Sequence, residues 1–295
     1  YNLGVMYWKG QDVAQSYIQA FEWFTKAAVQ GDIDAQFNLG VMYSKGLGVT
    51  QNNAKAFEWY SKAASHGHVY AQNVVGTKYV KGLGVTQSNI QAFEWFSKAA
   101  AQGNEDAQNN LGTMYSDAQG ITKDKVKAFE WYGKAAAQGH VDAQYNLGVM
   151  YERGEGVAQS YAKAVEWYSK AATQGDSYAQ NNLGVMYSKG LGVTQNDAKA
   201  FEWYSKAASH GHVYAQNTIG GKYQKGLGVT QSNIKAFEWY SKAAAQGDAY
   251  AQYNLAEMYK SGQGVTQNNA KAFEWYSKAA DQGHAQAKLM LARLQ

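Results

Sequence analysis

The sequence contains no cysteine and no proline among its 295 residues. Without cysteine there can be no disulfide bond, no thiolate metal site and no cysteine nucleophile. The absence of proline is unusual in a chain with many loops, and nothing in the sequence explains it. Because no run of about 18 apolar residues exists, we expect no segment to span a membrane.

Blocks of like charge are also missing. The chain has 27 Lys and Arg against 23 Asp and Glu, a net charge of +4, and its lysines alternate with acidic residues. A nucleic-acid-binding protein usually concentrates its basic residues in one stripe or patch. The charge pattern therefore argues against a nucleic-acid partner.

The sequence does contain a repeat of fixed length. The segment Ala-Phe-Glu-Trp-Tyr-Ser-Lys-Ala-Ala, residues 56–64, returns with small changes along the whole chain. Its tryptophan recurs every 36 residues, at Trp23, Trp59, Trp95, Trp131, Trp167, Trp203, Trp239 and Trp275. A period of this size is typical of a stacked array of one supersecondary unit. We therefore predict one continuous all-α solenoid over residues 1–295.

Residues 32–67 serve as the template repeat, and repeat positions are named below by their template numbers. Apolar residues at Ala35, Leu39 and Met42 share one helical face and predict a helix A over 32–45. A loop follows at 46–51, and Asn52 or Asn53 can cap a helix B that runs to about residue 65. We expect Ala56, Trp59, Tyr60 and Ala63 to form the buried face of helix B, and Gly67 to end it in a left-handed conformation.

Helix A carries a small residue in its interior in every repeat. It is glycine at Gly4, Gly40, Gly76, Gly112, Gly148, Gly184 and Gly220, and alanine at Ala256. A glycine inside a helix costs about 1 kcal/mol relative to alanine. The alanine in the eighth repeat shows that the position needs a small side chain and not a positive φ. We therefore expect a Trp or Tyr ring of helix B to approach helix A closely here.

These residues resemble the Sel1-like repeat family. The matching positions of the template repeat are Ala35, Leu39, Gly40, Tyr43, Gly46, Gly48, Val49, Lys55, Ala56, Trp59, Tyr60, Lys62, Ala63 and Ala64. The resemblance implies a right-handed superhelix of antiparallel helix pairs, close to the tetratricopeptide solenoids, and a bacterial adaptor that binds other proteins. The family often has proline in the loop, where this chain has Thr50 or Ala158.

The period divides the chain into eight helix-turn-helix repeats and a C-terminal capping helix. The expected units are 1–31, 32–67, 68–103, 104–139, 140–175, 176–211, 212–247 and 248–283, with the cap at 284–295. Ala287 and Leu291 keep the apolar face in the cap. Residues 39–72 and 183–216 are almost identical in sequence, which indicates that a block of four repeats was duplicated.

The sequence offers only weak matches to catalytic, phosphate-binding or metal-binding motifs. Gly46-Leu-Gly48 lacks the third glycine of a phosphate-binding loop, so we interpret it as an interhelix turn. All six histidines fall at turns between repeats, at His66, His68, His140, His210, His212 and His284. A zinc site needs three or four ligands, and His66 and His68 supply two without a cysteine nearby. No Gly-x-Ser-x-Gly elbow exists. We expect no enzyme activity, no metal and no cofactor.

The remaining candidate is the surface of helices A. By analogy with tetratricopeptide solenoids, position 34 and position 37 should line a concave groove, and both vary between repeats. The candidate residues are Tyr70, Tyr178, Tyr214, Tyr250, Phe37, Asn73, Asn109, Tyr145, Asn181, Asn217 and Tyr253. Tyrosine and asparagine suit a protein-binding surface. The alternative is that the tyrosines pack between adjacent helices A.

The sequence therefore predicts a non-enzymatic scaffold that binds a protein or peptide along helices A. An immunity-type or host-interaction protein of the same class is one alternative, and a structural spacer rod is another. We expect a monomer, with end-to-end association as the alternative. The chain begins inside a repeat, because Tyr1 corresponds to Phe37, so any signal peptide would lie upstream and both cytoplasmic and exported locations stay open.

Overall fold

The fold consists entirely of α-helices in the part of the chain that the structure describes. The computed structural model describes residues 1–294, and Gln295, the last residue of the expected cap, lies outside the described residues. The helices are α1 (Asn2–Lys9), α2 (Tyr17–Val29), α3 (Ile33–Lys45), α4 (Asn53–Ser65), α5 (Val69–Lys81), α6 (Asn89–Ala101), α7 (Glu105–Asp117), α8 (Lys125–Ala137), α9 (Val141–Arg153), α10 (Tyr161–Thr173), α11 (Ser177–Lys189), α12 (Asp197–Ser209), α13 (Val213–Lys225), α14 (Asn233–Ala245), α15 (Ala249–Ser261), α16 (Asn269–Asp281) and α17 (Ala285–Leu294). Each of the eight repeats supplies a helix A and a helix B, and α17 follows as the expected cap.

The helix ends are set by side-chain caps and left-handed residues. In the template repeat, the Asp32 carboxylate accepts the backbone N–H of Ala35 at 2.8 Å and begins α3. The side chain of Asn52 accepts the N–H of Lys55 at 2.9 Å and begins α4, which decides between the two expected caps. Gly46 ends α3 with φ +70°.

Within a repeat, the ring at position 60 lies directly over the interior glycine of helix A. A Cβ built on Gly40 would lie 2.6 Å from Cδ1 of Tyr60, which confirms the expected close approach and assigns it to Tyr60 instead of Trp59. Burial raises the pKa of Tyr60 to about 12. Repeat eight accommodates Ala256 beneath Tyr276, and both are fully buried.

The tryptophan was expected on the buried face of helix B, and it is only partly buried there. Trp59 packs against an apolar cluster that α2 of the preceding repeat and α3 of its own repeat form together, with Phe24 and Leu39 among its members. Its ring also carries the Lys62 ammonium, whose Nζ lies 4.1 Å from the ring centroid. Trp59 therefore contacts a cluster that spans two repeats and is covered by a cation–π contact, while Tyr60 is buried over Gly40 of its own repeat.

The loop after each helix A packs on the first turn of helix B in the preceding repeat. A Cβ on Gly84 would lie 2.0 Å from the backbone oxygen of Asn53, and φ at Gly84 is +79°. Gly48 makes the same contact with the backbone oxygen of Tyr17. The second loop glycine is therefore required twice, by its backbone conformation and by the contact between repeats.

Glutamine side chains form a second link between repeats. Gln72 Nε2 donates to the backbone oxygen of Ala64 in the preceding repeat at 3.2 Å, and Gln72 Oε1 accepts a hydrogen bond from Gln102 Nε2 of its own repeat at 2.8 Å. Gln72 is 5% exposed. These hydrogen bonds satisfy polar groups that would otherwise be buried without partners.

The helices form two compact units. One contains Tyr1–Ala143 with Glu155–Val157, and the other contains the rest of the chain from Gln144 onward. Consecutive helices pack against each other from α1 to α8 in the first unit and from α10 to α17 in the second. In the second unit α17 covers α16, with Ala287 buried and Leu291 partly buried against it.

The loop contact leads to a first prediction. Gly84→Ala should cost more than about 2 kcal/mol, because alanine in a left-handed conformation costs about 1–2 kcal/mol and the Cβ also meets Asn53. Gly67→Ala should cost only the conformational part, because nothing lies within 4 Å of its Cβ position. Urea unfolding followed by circular dichroism measures both variants. Equal losses would show that the loop does not need its close contact with Asn53.

A second prediction concerns Ala118, which replaces the glycine of position 46. Ala118 adopts φ +57°, a conformation that costs alanine about 1 kcal/mol or more. Ala118→Gly should therefore raise the free energy of unfolding by about 1 kcal/mol, and the reciprocal Gly46→Ala should lower it. A higher urea midpoint in the first variant and a lower midpoint in the second would agree with this; no change in either would contradict it.

Candidate functional site

Four tyrosines stand out from the first turn of helix A. Tyr70, Tyr178, Tyr214 and Tyr250 are each the second residue of their helix, and their exposures are 64%, 61%, 55% and 66%. They lie beside the turns that connect helix B to helix A, two residues after the residue that caps each helix A.

The aromatic residues at position 37 lie beneath this surface. Phe37 stacks on the ring of His68 with 4.4 Å between centroids. In the second unit Tyr253 stacks on His284 at 4.7 Å. All the aromatic members of this row, Tyr145 included, are half-buried. These rings are more buried than the tyrosines of position 34, and we refer to them as the floor of the exposed row.

The asparagines of position 37 face the neighbouring helix A. Asn110 Nδ2 donates to Asn73 Oδ1 at 3.1 Å, and Asn254 Nδ2 donates to Asn217 Oδ1 at 3.1 Å. Asn181 is 7% exposed, and its Oδ1 has no hydrogen-bond partner among the described residues. The remaining asparagine of this row, Asn109, is half-buried.

Histidines cap four of the helices A, which the sequence reasoning missed. His68 Nδ1 accepts the backbone N–H of Ala71 at 3.1 Å, and His212 Nδ1 accepts that of Ala215 at 3.2 Å. His140 and His284 cap their helices in the same way. A nitrogen that accepts a hydrogen bond carries no proton, so these rings are neutral with the proton on Nε2.

A signal for these caps was present in the sequence. The other repeats carry Asp32, Asn104, Asp176 and Asp248 at the same position, and all are strong helix-capping residues. Histidine at a position otherwise occupied by Asp and Asn indicates a cap more directly than a metal ligand.

In the second unit the tyrosines and histidines share a shallow pocket. Tyr178, His210, His212 and Tyr214 line it together with the turn at Gly211. The Tyr178 and His212 rings meet edge to face with centroids 5.0 Å apart. Tyr250 meets His284 in the same geometry at 5.0 Å. The capping histidine therefore supports the exposed tyrosine of the preceding repeat.

The matching pocket in the first unit has a different chemical character. It is lined by Asp32, Asp34, His66 and His68. Here Asp34 occupies the place of Tyr178, and its Oδ1 lies 3.6 Å from His68 Nε2. The first unit therefore presents an acidic pocket where the second unit presents an aromatic one.

Nothing in the described part of the chain assembles a metal site. No group of three or more His, Cys, Asp or Glu side chains is placed to hold an ion within residues 1–294. The histidines instead act as caps and turn residues in separate repeats. None of the helices described is long and apolar enough to cross a membrane.

The chain consists of repeated helix pairs. Their core positions stay constant, while the exposed row at position 34 changes between repeats. This arrangement defines an all-α repeat protein of the scaffold type. The chain belongs to the Sel1 repeat family. The Sel1 repeat model matches eight consecutive segments, at 1–32, 33–68, 69–104, 105–140, 141–176, 177–212, 213–248 and 249–284. Proteins of this family are generally protein-interaction scaffolds and not enzymes.

Two solved bacterial structures are similar over most of the chain. One is c5321, a protective antigen of uropathogenic Escherichia coli with the same repeat fold, at 40% identity and a TM-score of 0.93. The match covers 99% of this chain but 63% of c5321, so the chain spans less than two thirds of that protein. The other is a Sel1 repeat protein from Oxalobacter formigenes, at 36% identity and a TM-score of 0.77, with 94% of this chain and 80% of that one covered.

Other comparisons add little. The immunity protein Pa5087 from Pseudomonas aeruginosa is 22% identical over 73% of this chain and 82% of its own, with a TM-score of 0.46, which is too low to transfer a function. A search of curated proteins found no match.

The histidine caps predict a loss of stability in mild acid. Burial lowers the pKa of His68 and of His212, although Asp34 and Asp176 respectively act in the opposite direction. Because the folded state favours the neutral rings, their contribution is complete above the unfolded pKa of about 6.5. It is lost as the pH falls below that value, since the unfolded chain takes up protons that the folded caps exclude.

The measurement compares urea midpoints at pH 7.5 and pH 5 in the parent and in His68→Asn/His212→Asn. Asparagine caps the equivalent helix at Asn104 and does not titrate. The double variant should lose less stability on acidification than the parent, by about 0.5–2 kcal/mol for each cap. The same pH dependence in both proteins would contradict the role of these caps.

Proposed function

We propose that this chain is a non-enzymatic scaffold that binds a protein or peptide through the exposed first turns of helices A. The observation that carries the proposal is the exposure of Tyr70, Tyr178, Tyr214 and Tyr250, each more than half accessible. An exposed tyrosine offers a large rigid contact area and a hydroxyl group at a small entropic cost. Residues of this type are enriched among those that contribute most to protein interfaces.

The variation between repeats supports the same conclusion. Position 60 is an aromatic ring in every repeat, because it must cover the small residue of helix A. Position 34 is aspartate in some repeats and tyrosine in others, and it lies on the exposed first turn of helix A. Residues that differ on an otherwise repeated framework are suited to recognise one particular partner.

The floor of the surface favours binding without large rearrangement. The capping histidines are fixed by hydrogen bonds to the backbone, and Phe37 and Tyr253 stack on two of them. The exposed rings of Tyr178 and Tyr250 rest against histidines of the same kind. A surface held in this way loses less conformational entropy when a partner binds.

A role in interaction with a host is the alternative within this class that a specific observation favours. The similar E. coli protein c5321 is described as a protective antigen. Because the chain spans 63% of c5321, the role of the whole relative is a proposal for this chain and not a finding.

The test is an affinity capture from extracts of the source cell and of a host cell, read by mass spectrometry. The variant replaces Tyr70, Tyr178, Tyr214 and Tyr250 with alanine. It should retain its helical circular dichroism and lose the partner, with at least a tenfold weaker affinity, which corresponds to about 1.4 kcal/mol.

A matched control replaces exposed apolar residues on another surface. Ile90 and Ile234 lie in the first turn of helix B and are 62% and 64% exposed, like the tyrosines. Ile90→Ala/Ile234→Ala should keep the partner. A partner that binds the tyrosine variant as tightly as the parent would place the site elsewhere, and no partner in either extract would favour the spacer rod.

A further inference from the structure

One core position of helix A holds a lysine in two repeats. Position 42 is methionine in the other six repeats, at Met6, Met42, Met114, Met150, Met186 and Met258. In α5 and α13 it is Lys78 and Lys222, and each is 5% exposed. Lysine has an unbranched side chain like methionine and can occupy the same space. Its ammonium group, however, needs a partner when it is buried.

Lys222 has such a partner. Its Nζ lies 3.0 Å from Oδ1 of Asp197, the first residue of α12. The Asp197 side chain is 40% exposed, so the carboxylate reaches the buried ammonium from the surface of the protein. This pair shows that an acidic group approaching from solvent can neutralise the lysine of position 42.

Lys78 occupies the same place without that carboxylate. Residues 39–72 and 183–216 are identical except at one position, where the first segment has Asn53 and the second has Asp197. Lys78 has no ion pair within residues 1–294, and its Nζ lies 5.5 Å from the centroid of the Tyr60 ring. Lys222 has the same relation to the Tyr204 ring, at 5.8 Å. The helix B beside each lysine is therefore the same apart from Asn53 and Asp197, whereas α5 and α13 themselves differ at four residues.

Asn53 lies next to the end of α5. Its backbone oxygen is the atom that Gly84, in the loop after α5, approaches most closely. Asn53 is exposed and begins α4, where the positive end of the helix dipole favours a negative charge. The place that Asp197 fills in the other copy is therefore open to solvent at Asn53.

We propose that Lys78 and Asn53 form a binding site for a carboxylate group supplied by another molecule. The bound carboxylate takes the position that the Asp197 side chain has beside Lys222, accepts a hydrogen bond from the Lys78 ammonium and accepts a second from the Asn53 side-chain amide. Hydrogen bonds between charged groups are shorter and stronger than neutral ones. The ligand is either a free small carboxylic acid or an acidic side chain of a peptide.

This site is separate from the tyrosine surface. Tyr70 lies in the first turn of α5, whereas Lys78 lies in its last turn. Burial lowers the pKa of Lys78, which agrees with an ammonium group that has lost hydration without gaining a counter-ion. The methionines at the same position in other repeats show that the fold itself does not need a lysine there.

The experiment follows the lysine side chains by NMR in protein labelled at the lysine Cε carbon. The Lys78 signal is assigned by its absence in Lys78→Met, a substitution that other repeats already contain. The probes are acetate and the peptide acetyl-Gly-Asp-Gly-amide, each titrated against chloride at constant ionic strength. We expect a saturable shift of the Lys78 signal, and the probe that saturates at the lower concentration identifies the kind of carboxylate.

Two further variants use the duplicated copy as a control. Asn53→Asp supplies the missing carboxylate and should abolish the saturable shift of Lys78. Asp197→Asn removes the carboxylate from the other copy and should make the Lys222 signal respond as Lys78 does. A Lys78 signal that shows no saturable response to either probe, or that responds equally in Asn53→Asp, would overturn the proposal.

Discussion

The structure depends on contact between consecutive repeats, because one helix pair is too thin to bury its own apolar surface. The loop after helix A lies against the first turn of the preceding helix B so closely that only glycine fits, as at Gly84 on Asn53. The hydrogen bond from Gln72 to the backbone of Ala64 crosses the same boundary. These contacts hold consecutive helix pairs together.

The contact also explains which positions repeat and which vary. Position 60 must be aromatic and position 40 small, because a ring and a helix backbone touch there in each repeat. Position 34 lies outside these contacts and changes from Asp34 to Tyr70 to Asp106 along the chain. The capping histidines link the constant positions to the variable ones, since they cap a helix and contact an exposed ring at the same time. The surface that we propose for binding is therefore built on residues that the fold already needs.

The duplicated block shows how one exposed residue changes the environment of a buried one. Asn53 and Asp197 occupy equivalent first-turn positions and would be interchangeable on most helices. Here the position faces a lysine in the neighbouring helix A, so the difference between an amide and a carboxylate decides whether that lysine has a counter-ion. The helices B that carry Asn53 and Asp197 are otherwise identical, so the difference on that side of the lysine is confined to one residue.

Much of the fold follows from local chemistry that the sequence displays. The 36-residue period, the capping residues Asp32 and Asn52, the left-handed glycines and the small residue of helix A are each set within a few residues of chain. They determine the number, type and limits of the helices and the repeat family. The exposed tyrosines could also be predicted, since position 34 falls off the apolar face of helix A.

Tertiary structure decided what depends on the neighbouring repeat. Spacing within helix B places Trp59 and Tyr60 side by side, and only the packed repeats show that Tyr60 is buried while Trp59 lies partly exposed against a cluster shared by two repeats. The hydrogen bonds of Asn73 and Asn217 and the pairing of Lys222 with Asp197 likewise join residues from different helices. Periodicity reports which face of a helix is apolar, whereas these partners depend on where the adjacent helix lies, and that position is set by contacts distant in sequence.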